Sequence, residues 1–216
     1  MKLLPIFASA AIALAAVGSA PAHATIISGS TTGLAGATST ITFDEIVLPT
    51  GTLVTNQYAG LGLTINPGLY YSPQTGFGNV QGNDLGNFNF VDPNVFTPQT
   101  FSFGSTLNGA AFAVASNNSN YLFEALLGGL VVDSFTANVG TSSADFYGFS
   151  GISLDAIRVT DLTADFYLID NVQQGATVSN GAVPEPATWA MMLLGFGMAG
   201  FGLRNRRKPT VSVTYA

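Results

Sequence analysis

Between residues 25 and 182 the side chains able to do chemistry are almost all carboxylates. That stretch holds eleven Asp and Glu residues, a single cation at Arg158, and no His, Cys or Lys. Histidine general bases, thiol nucleophiles, Schiff-base lysines and the usual zinc ligands are thereby removed together. Glycine-rich phosphate loops are missing as well. A carboxylate pair of the glycosidase kind is the catalytic arrangement that survives, and no spacing among the eleven selects one. The expectation is a protein that is not an enzyme. Eleven carboxylates against one guanidinium give the stretch a formal charge of −10, which has no grip on a phosphate backbone. Nucleic acid is excluded as a partner, whereas divalent cations and neutral sugars suit such a surface.

Other polar positions read more plainly. Asp161 and Asp165 flank a turn and are expected to be solvated, Asn117-Asn118-Ser119 is a turn, and Arg158 is expected to pair internally. Tyr70, Tyr71, Tyr121 and Tyr147 either stack on sugar rings or fill the core.

The elements that must position these groups are strands. Although only 8% of the 216 residues are charged, 47% are apolar, with 16 Phe and 7 Tyr, enough to build a core. No helical apolar period persists. Short runs rich in Phe, Tyr, Val, Ile and Thr recur at 38–47, 61–65, 87–91, 100–103, 110–115, 121–127, 130–136, 145–149, 152–160 and 165–172. Leu127-Gly128-Gly129-Leu130 has the form of a two-residue hairpin. With no room for helical crossovers, the expected fold is all-β, an antiparallel two-sheet jelly-roll-like sandwich over 25–182. The stretch 70–100, crowded with Gly, Asn and Pro and carrying Asp84, Asp92, Phe77, Phe88, Phe90 and Phe96, is expected to be a long edge loop. It is either a structural excursion or a ligand-facing surface.

The two ends have a different composition. Lys2, an apolar run over 3–17 and Ala22-His23-Ala24 make residues 1–24 an expected helical signal peptide, cut by signal peptidase after Ala24. At the other end, Val183-Pro184-Glu185-Pro186 precedes Trp189-Ala190, a glycine-rich apolar run to Leu203, and Arg204-Asn205-Arg206-Arg207-Lys208. Residues 187–203 read as a short transmembrane helix, roughly 25 Å long, with Trp at one interface and a cytoplasmic stop-transfer cluster at the other. Residues 209–216 would then form a cytoplasmic tail. This tripartite order over 183–208 closely resembles the PEP-CTERM sorting signal in its PEPxxWA variant, on Pro184, Glu185, Pro186, Trp189, Ala190 and the arginines Arg204, Arg206 and Arg207. The resemblance implies processing by an exosortase and transient anchoring in the inner membrane. It further implies release to the cell surface or exterior, in association with exopolysaccharide and biofilm.

A second resemblance lies at the domain's start. Ile41-Thr42-Phe43-Asp44-Glu45, Pro49-Thr50-Gly51-Thr52, Thr55-Asn56-Gln57-Tyr58 and Gly60-Leu61-Gly62-Leu63, with Ile169-Asp170-Asn171-Val172 near the end, resemble secreted jelly-roll domains. Many of those are lectin-like or carbohydrate-binding modules with a structural calcium between first and last strands. The resemblance therefore implies Ca²⁺ at Asp44, Glu45, Asp170 and Asn171, whose oxygens are the hard donors calcium takes. The alternative is that Asp44 and Asp170 cap or hydrogen-bond strand ends. Three functions follow: a non-catalytic carbohydrate-binding-like surface protein, a purely structural surface protein without a ligand site, or a carboxylate-only glycosidase.

Overall fold

A computed structural model of the protein describes residues 24–88, 96–141, 143, 145–178, 186–204 and 214. Ala22, Pro184, Glu185, Arg206 and Arg207 lie outside the described residues, as does the expected leader except Ala24. Contacts divide the chain into two units, Met1–Val178 and Ser179–Ala216. The described part of the first unit is all-β.

Eleven strands are described in it: β1 Thr25–Ser30, β2 Ser39–Ile41, β3 Leu53–Val54, β4 Leu63–Asn66, β5 Leu69–Ser72, β6 Asp84–Gly86, β7 Gln99–Ser116, β8 Ser119–Leu127, β9 Leu130–Val139, β10 Phe146–Asp161 and β11 Tyr167–Gln174. All the strand pairings are antiparallel. Hydrogen bonds run unbroken through the whole set, so the two layers of the sandwich are one sheet folded on itself. The folding is done by β7 and β10, of 18 and 16 residues. The start of β7 pairs with β4 and the end of β10, while the end of β7 pairs with β11 and the start of β10. Each long strand thus crosses from one layer to the other, and the bulges between Ser150 and Ala156 provide the corner.

This explains where the strand expectations fail. The runs 100–103 and 110–115 are one strand, as are 145–149 and 152–160, because the intervening glycines bend the chain without reversing it. At Gly109 a Cβ would lie 2.7 Å from the Phe149 carbonyl oxygen, so the corner closes only on glycine. The run 38–47 is strand only to Ile41, since Phe43 takes a left-handed φ of 60°. The stretch 70–100 is not simply a loop: it contains the end of β5, all of β6 and the start of β7. The Gly128-Gly129 hairpin forms as expected, with φ of 58° and 80° and Leu127 paired to Leu130.

The inter-layer core is aromatic. Phe123 on β8 stacks on Tyr147 of the facing layer at 5.3 Å and on its cross-strand neighbour Phe135 at 5.0 Å, while Phe101 meets Phe112 at 4.9 Å. Tyr71 and Tyr121 are completely enclosed, and Tyr70 and Tyr147 are buried, so all four tyrosines belong to the core. On β7, Ala110, Phe112 and Val114 face this core, whereas Ala111, Ala113 and Ala115 face outward into a second buried cluster with Ile27, Leu34, Val80, Phe146 and Leu168. Small alanines on that outer face let the 77–80 turn lie directly on the sheet.

Candidate functional site

The carboxylates converge where β11, β6 and the segment after β2 meet. Asp170 stands on β11 beside a register shift, and the next residue, Asn171, takes a left-handed φ of 50°. The Asp170 side chain is completely buried. Its Oδ2 accepts from the Gln81 N–H at 3.0 Å and its Oδ1 from the Asn171 N–H at 2.6 Å. Asn171 Nδ2 donates to the Asn79 carbonyl at 2.6 Å, and Asp44 Oδ1 accepts from Asn83 N at 3.2 Å and Nδ2 at 2.5 Å. Three residues expected to bind calcium therefore tether the 79–83 segment across the sheet end.

Asp84, which the resemblance does not single out, stands at the centre of this arrangement. The register Leu168–Gly86, Ile169–Leu85 carries on to set Asp84 across from Asp170. Asp84 is fully buried: Oδ2 accepts from the Gln74 N–H at 2.9 Å, and Oδ1 has no hydrogen-bond partner among the described residues. Burial pushes Asp84 up to about 8, opposed by the Gln74 hydrogen bond and reinforced by the charge of Asp170. Asp170 is pushed up to about 7, again chiefly by burial. The Gln81 and Asn171 N–H groups oppose that rise, and the charges of Asp44 and Glu45 add to it. Two enclosed like charges side by side are unfavourable until a proton or a cation is shared between them.

The floor is rigid. Phe43, buried and in the left-handed region, offers its carbonyl to Tyr58 OH at 2.9 Å and Tyr71 OH at 3.1 Å, and Tyr58 OH also reaches the Ile46 carbonyl at 2.8 Å. The strained φ values at Phe43 and Asn171 directly precede Asp44 and follow Asp170, a placement typical of positions that aim functional groups.

The four expected ligands are thus only partly assembled. Asp170 faces Asp84 across the β6–β11 register, whereas Asp44 is exposed and joins them through the 79–83 segment and the charge it adds at Asp170. Glu45 is exposed and turns Oε1 to the Thr42 N–H at 2.9 Å and hydroxyl at 3.1 Å, and Asn171 presents N–H donors. Among the described residues, no three His, Cys, Asp or Glu side chains are grouped as metal ligands. The orphaned Asp84 oxygen, a hard donor facing Asp170 across the β6–β11 register, does fit a hard cation, although N–H groups already occupy the other Asp84 oxygen and both Asp170 oxygens. Asp84 could be recognised in the sequence only as one of two acids in the 70–100 stretch, because its partner Asp170 is far away along the chain.

Elsewhere, Arg158 pairs with Glu124 at 2.6 Å. Asp161 and Asp165 organise the β10–β11 turn: Asp161 accepts from Thr163 and Asp165 N–H groups, and Asp165 from Ser119, Asn117 and the Phe166 N–H. The Ser119 hydroxyl foremost holds Asp165 below the usual carboxylate range.

In the second unit, α1 runs Pro186–Arg204, with proline in the first helical position, where its missing N–H leaves no bond unmade. Trp189, Ala190 and Arg204 lie on it. The apolar side chains described along it, from Met191 to Phe201, are exposed. No helix, among the described residues, is long and apolar enough to cross a membrane.

The described architecture is an antiparallel all-β sandwich followed by a separate helical segment. Residues 182–208 match the PEP-CTERM protein-sorting motif, which marks the chain for exosortase processing and export toward the cell surface. Among solved structures the chain is similar to the K2 cleaved adhesin domain of Lys-gingipain, at 11% identity and a TM-score of 0.37, over 64% of this chain and 99% of that one. At that score the similarity carries no argument about fold or function. No curated protein sequence matches the chain.

Proposed function

We propose that the chain is a non-catalytic, carbohydrate-binding-like surface protein of the PEPxxWA type. On this reading α1 anchors it in the inner membrane until an exosortase cuts near the Pro-Glu-Pro motif, and the released sandwich joins an exopolysaccharide or biofilm matrix. The observation that carries the reading is the sorting motif at 182–208 behind an ectodomain whose reactive side chains are reduced to carboxylates. Exposed apolar side chains from Met191 to Met198 support the anchor, since a helix without a polar face has no use on a soluble surface.

The sandwich also keeps a structural Ca²⁺ site. Asp84 and Asp170 would hold the ion with Asp44 beside them, and the ion would supply the positive charge that two buried carboxylates lack. Glu45 and Asn171 serve the surrounding loops in this arrangement. The test is co-sedimentation of the mature chain with insoluble polysaccharide, with and without EDTA. Calcium-dependent retention is the expected result. Hydrolysis that Asp→Asn changes abolish would replace the reading with a carboxylate-only glycosidase. Absence of any retention would leave a purely structural surface protein.

A further inference from the structure

A solvent-open cavity of about 320 Å³ lies on the outer face of the sheet, over Ala115 and Leu168. Three phenylalanines from three separate segments wall it: Phe77, Phe88 and Phe166. Phe88 meets Phe166 edge-on at 5.2 Å. Phe166 is 44% exposed, yet its backbone is held at both ends. Its N–H donates to Asp165 Oδ1 at 2.7 Å, and its carbonyl accepts from the Ser116 hydroxyl at 2.9 Å. Phe96 lies against the same ring at 6.4 Å, so the half-exposed Phe166 ring is placed by its backbone hydrogen bonds and by two aromatic neighbours.

The rim is uncharged and amide-rich. Gln74 is tied down by its backbone N–H to Asp84, while its side-chain amide makes no hydrogen bond among the described residues. Asn117 donates to Asp165 at 3.2 Å, and its side-chain oxygen accepts from none of the described residues. Thr141 donates to the Ser116 carbonyl at 2.9 Å and keeps its oxygen free to accept. The one cation described in the sandwich, Arg158, is committed to Glu124 on β8, so nothing here attracts an anion. The neighbouring carboxylate, Asp165, is fully engaged and offers little to a cation.

We infer that this cavity is a binding site for a neutral pyranose ring of a polysaccharide, stacked on Phe166 and Phe77 with its hydroxyls on Gln74, Asn117 and Thr141. A sugar ring has apolar C–H faces and a hydroxyl rim, which matches an aromatic wall bordered by amides, and the volume suits one such ring. The proposal rests on the carbohydrate-binding-like reading and gives it a location. It also couples that location to the carboxylates: the turn carrying Phe77 is tethered by Asn171 to the Asn79 carbonyl and by Asp170 to the Gln81 N–H.

The test is affinity electrophoresis of the mature chain through gels containing dextran, a mixed-linkage β-glucan or a galactomannan, with carboxymethyl-dextran as the anionic counterpart. At least one neutral polymer should retard the chain and carboxymethyl-dextran should not. Phe166→Ala should weaken the retardation at least tenfold with unchanged thermal unfolding, and Asn117→Asp should weaken it independently. Retardation that both variants leave intact overturns the cavity as the site while the carbohydrate-binding reading survives. If no neutral polymer retards the chain but the apolar dye anilinonaphthalene sulfonate binds and Phe166→Ala releases it, the cavity is an apolar-ligand site and the sugar assignment is wrong. No interaction with any probe overturns both.

Discussion

Raising the pH from 5 to 7 in the absence of divalent cations should destabilise the sandwich. In the unfolded chain Asp84 and Asp170 titrate near 3.8 and are ionised throughout that window, whereas burial in the fold pushes them to about 8 and about 7. The folded state therefore holds more protons than the unfolded one. Stability is greatest below the unfolded value and falls as the pH rises, the penalty being complete above the folded value. Each retained proton is worth about 1.4 kcal/mol per pH unit. Because the two carboxylates are coupled, one proton shared between them is the working count, giving a loss of about 3 kcal/mol over two units. In a domain of this size that lowers Tm by about 6–12 °C. The assay is thermal unfolding followed by near-ultraviolet circular dichroism at pH 5, 6 and 7 in EDTA, repeated with millimolar CaCl₂. Calcium binds the ionised form, so it should flatten the slope and restore most of the loss at pH 7. A Tm in EDTA that is flat or rises over this range refutes the buried, cation-starved pair.

Three substitutions extend the argument. Asp84→Asn replaces a carboxyl that must take up a proton to stay buried at pH 7, so in EDTA it should stabilise the fold by about 1–3 kcal/mol and abolish the calcium response, read by chemical denaturation. Tyr58→Phe deletes the hydroxyl serving the Phe43 and Ile46 carbonyls and should lower stability by about 1–2 kcal/mol, measured the same way. Gly148→Ala would drive a Cβ into the Ala110 carbonyl oxygen and to 2.6 Å from Ala111 Cα, both backbone atoms that cannot yield. Its unfolding midpoint should drop by the equivalent of about 3 kcal/mol or more, and a wild-type midpoint would show that the β7–β10 ladder is not packed this closely.

Local signals in the sequence reached some parts of the molecule and not others. The β8–β9 hairpin was legible because Tyr121, Phe123 and Ala125 alternate with more exposed neighbours and a glycine pair closes the turn. β5 was not, because Leu69-Tyr70-Tyr71-Ser72 is buried on both faces and has no alternation to read. β7 and β10 each read as two runs in the sequence, because glycine marks a layer-crossing bend and a turn with the same letter. At the carboxylate site, Asp44 and Asp170 were visible through their Phe-Asp and Ile-Asp-Asn contexts. Asp84 was hidden, since its role comes from the β6–β11 register and no local pattern encodes it. The cavity was hidden for the same reason: Phe77, Phe88 and Phe166 meet only after the 77–80 turn folds onto the outer alanines of β7.

Residues 182–208 mark this chain as exosortase cargo. The most direct test of that role is intact-mass and carboxy-terminal peptide analysis of the protein recovered from cells with and without a functional exosortase. A species ending near Pro184-Glu185-Pro186 and free of the membrane should appear only when the enzyme is present, and should be lost when Pro184, Glu185 and Pro186 are replaced by alanine. Recovery of surface protein still carrying Arg204 to Lys208, whatever the exosortase status, would contradict that role.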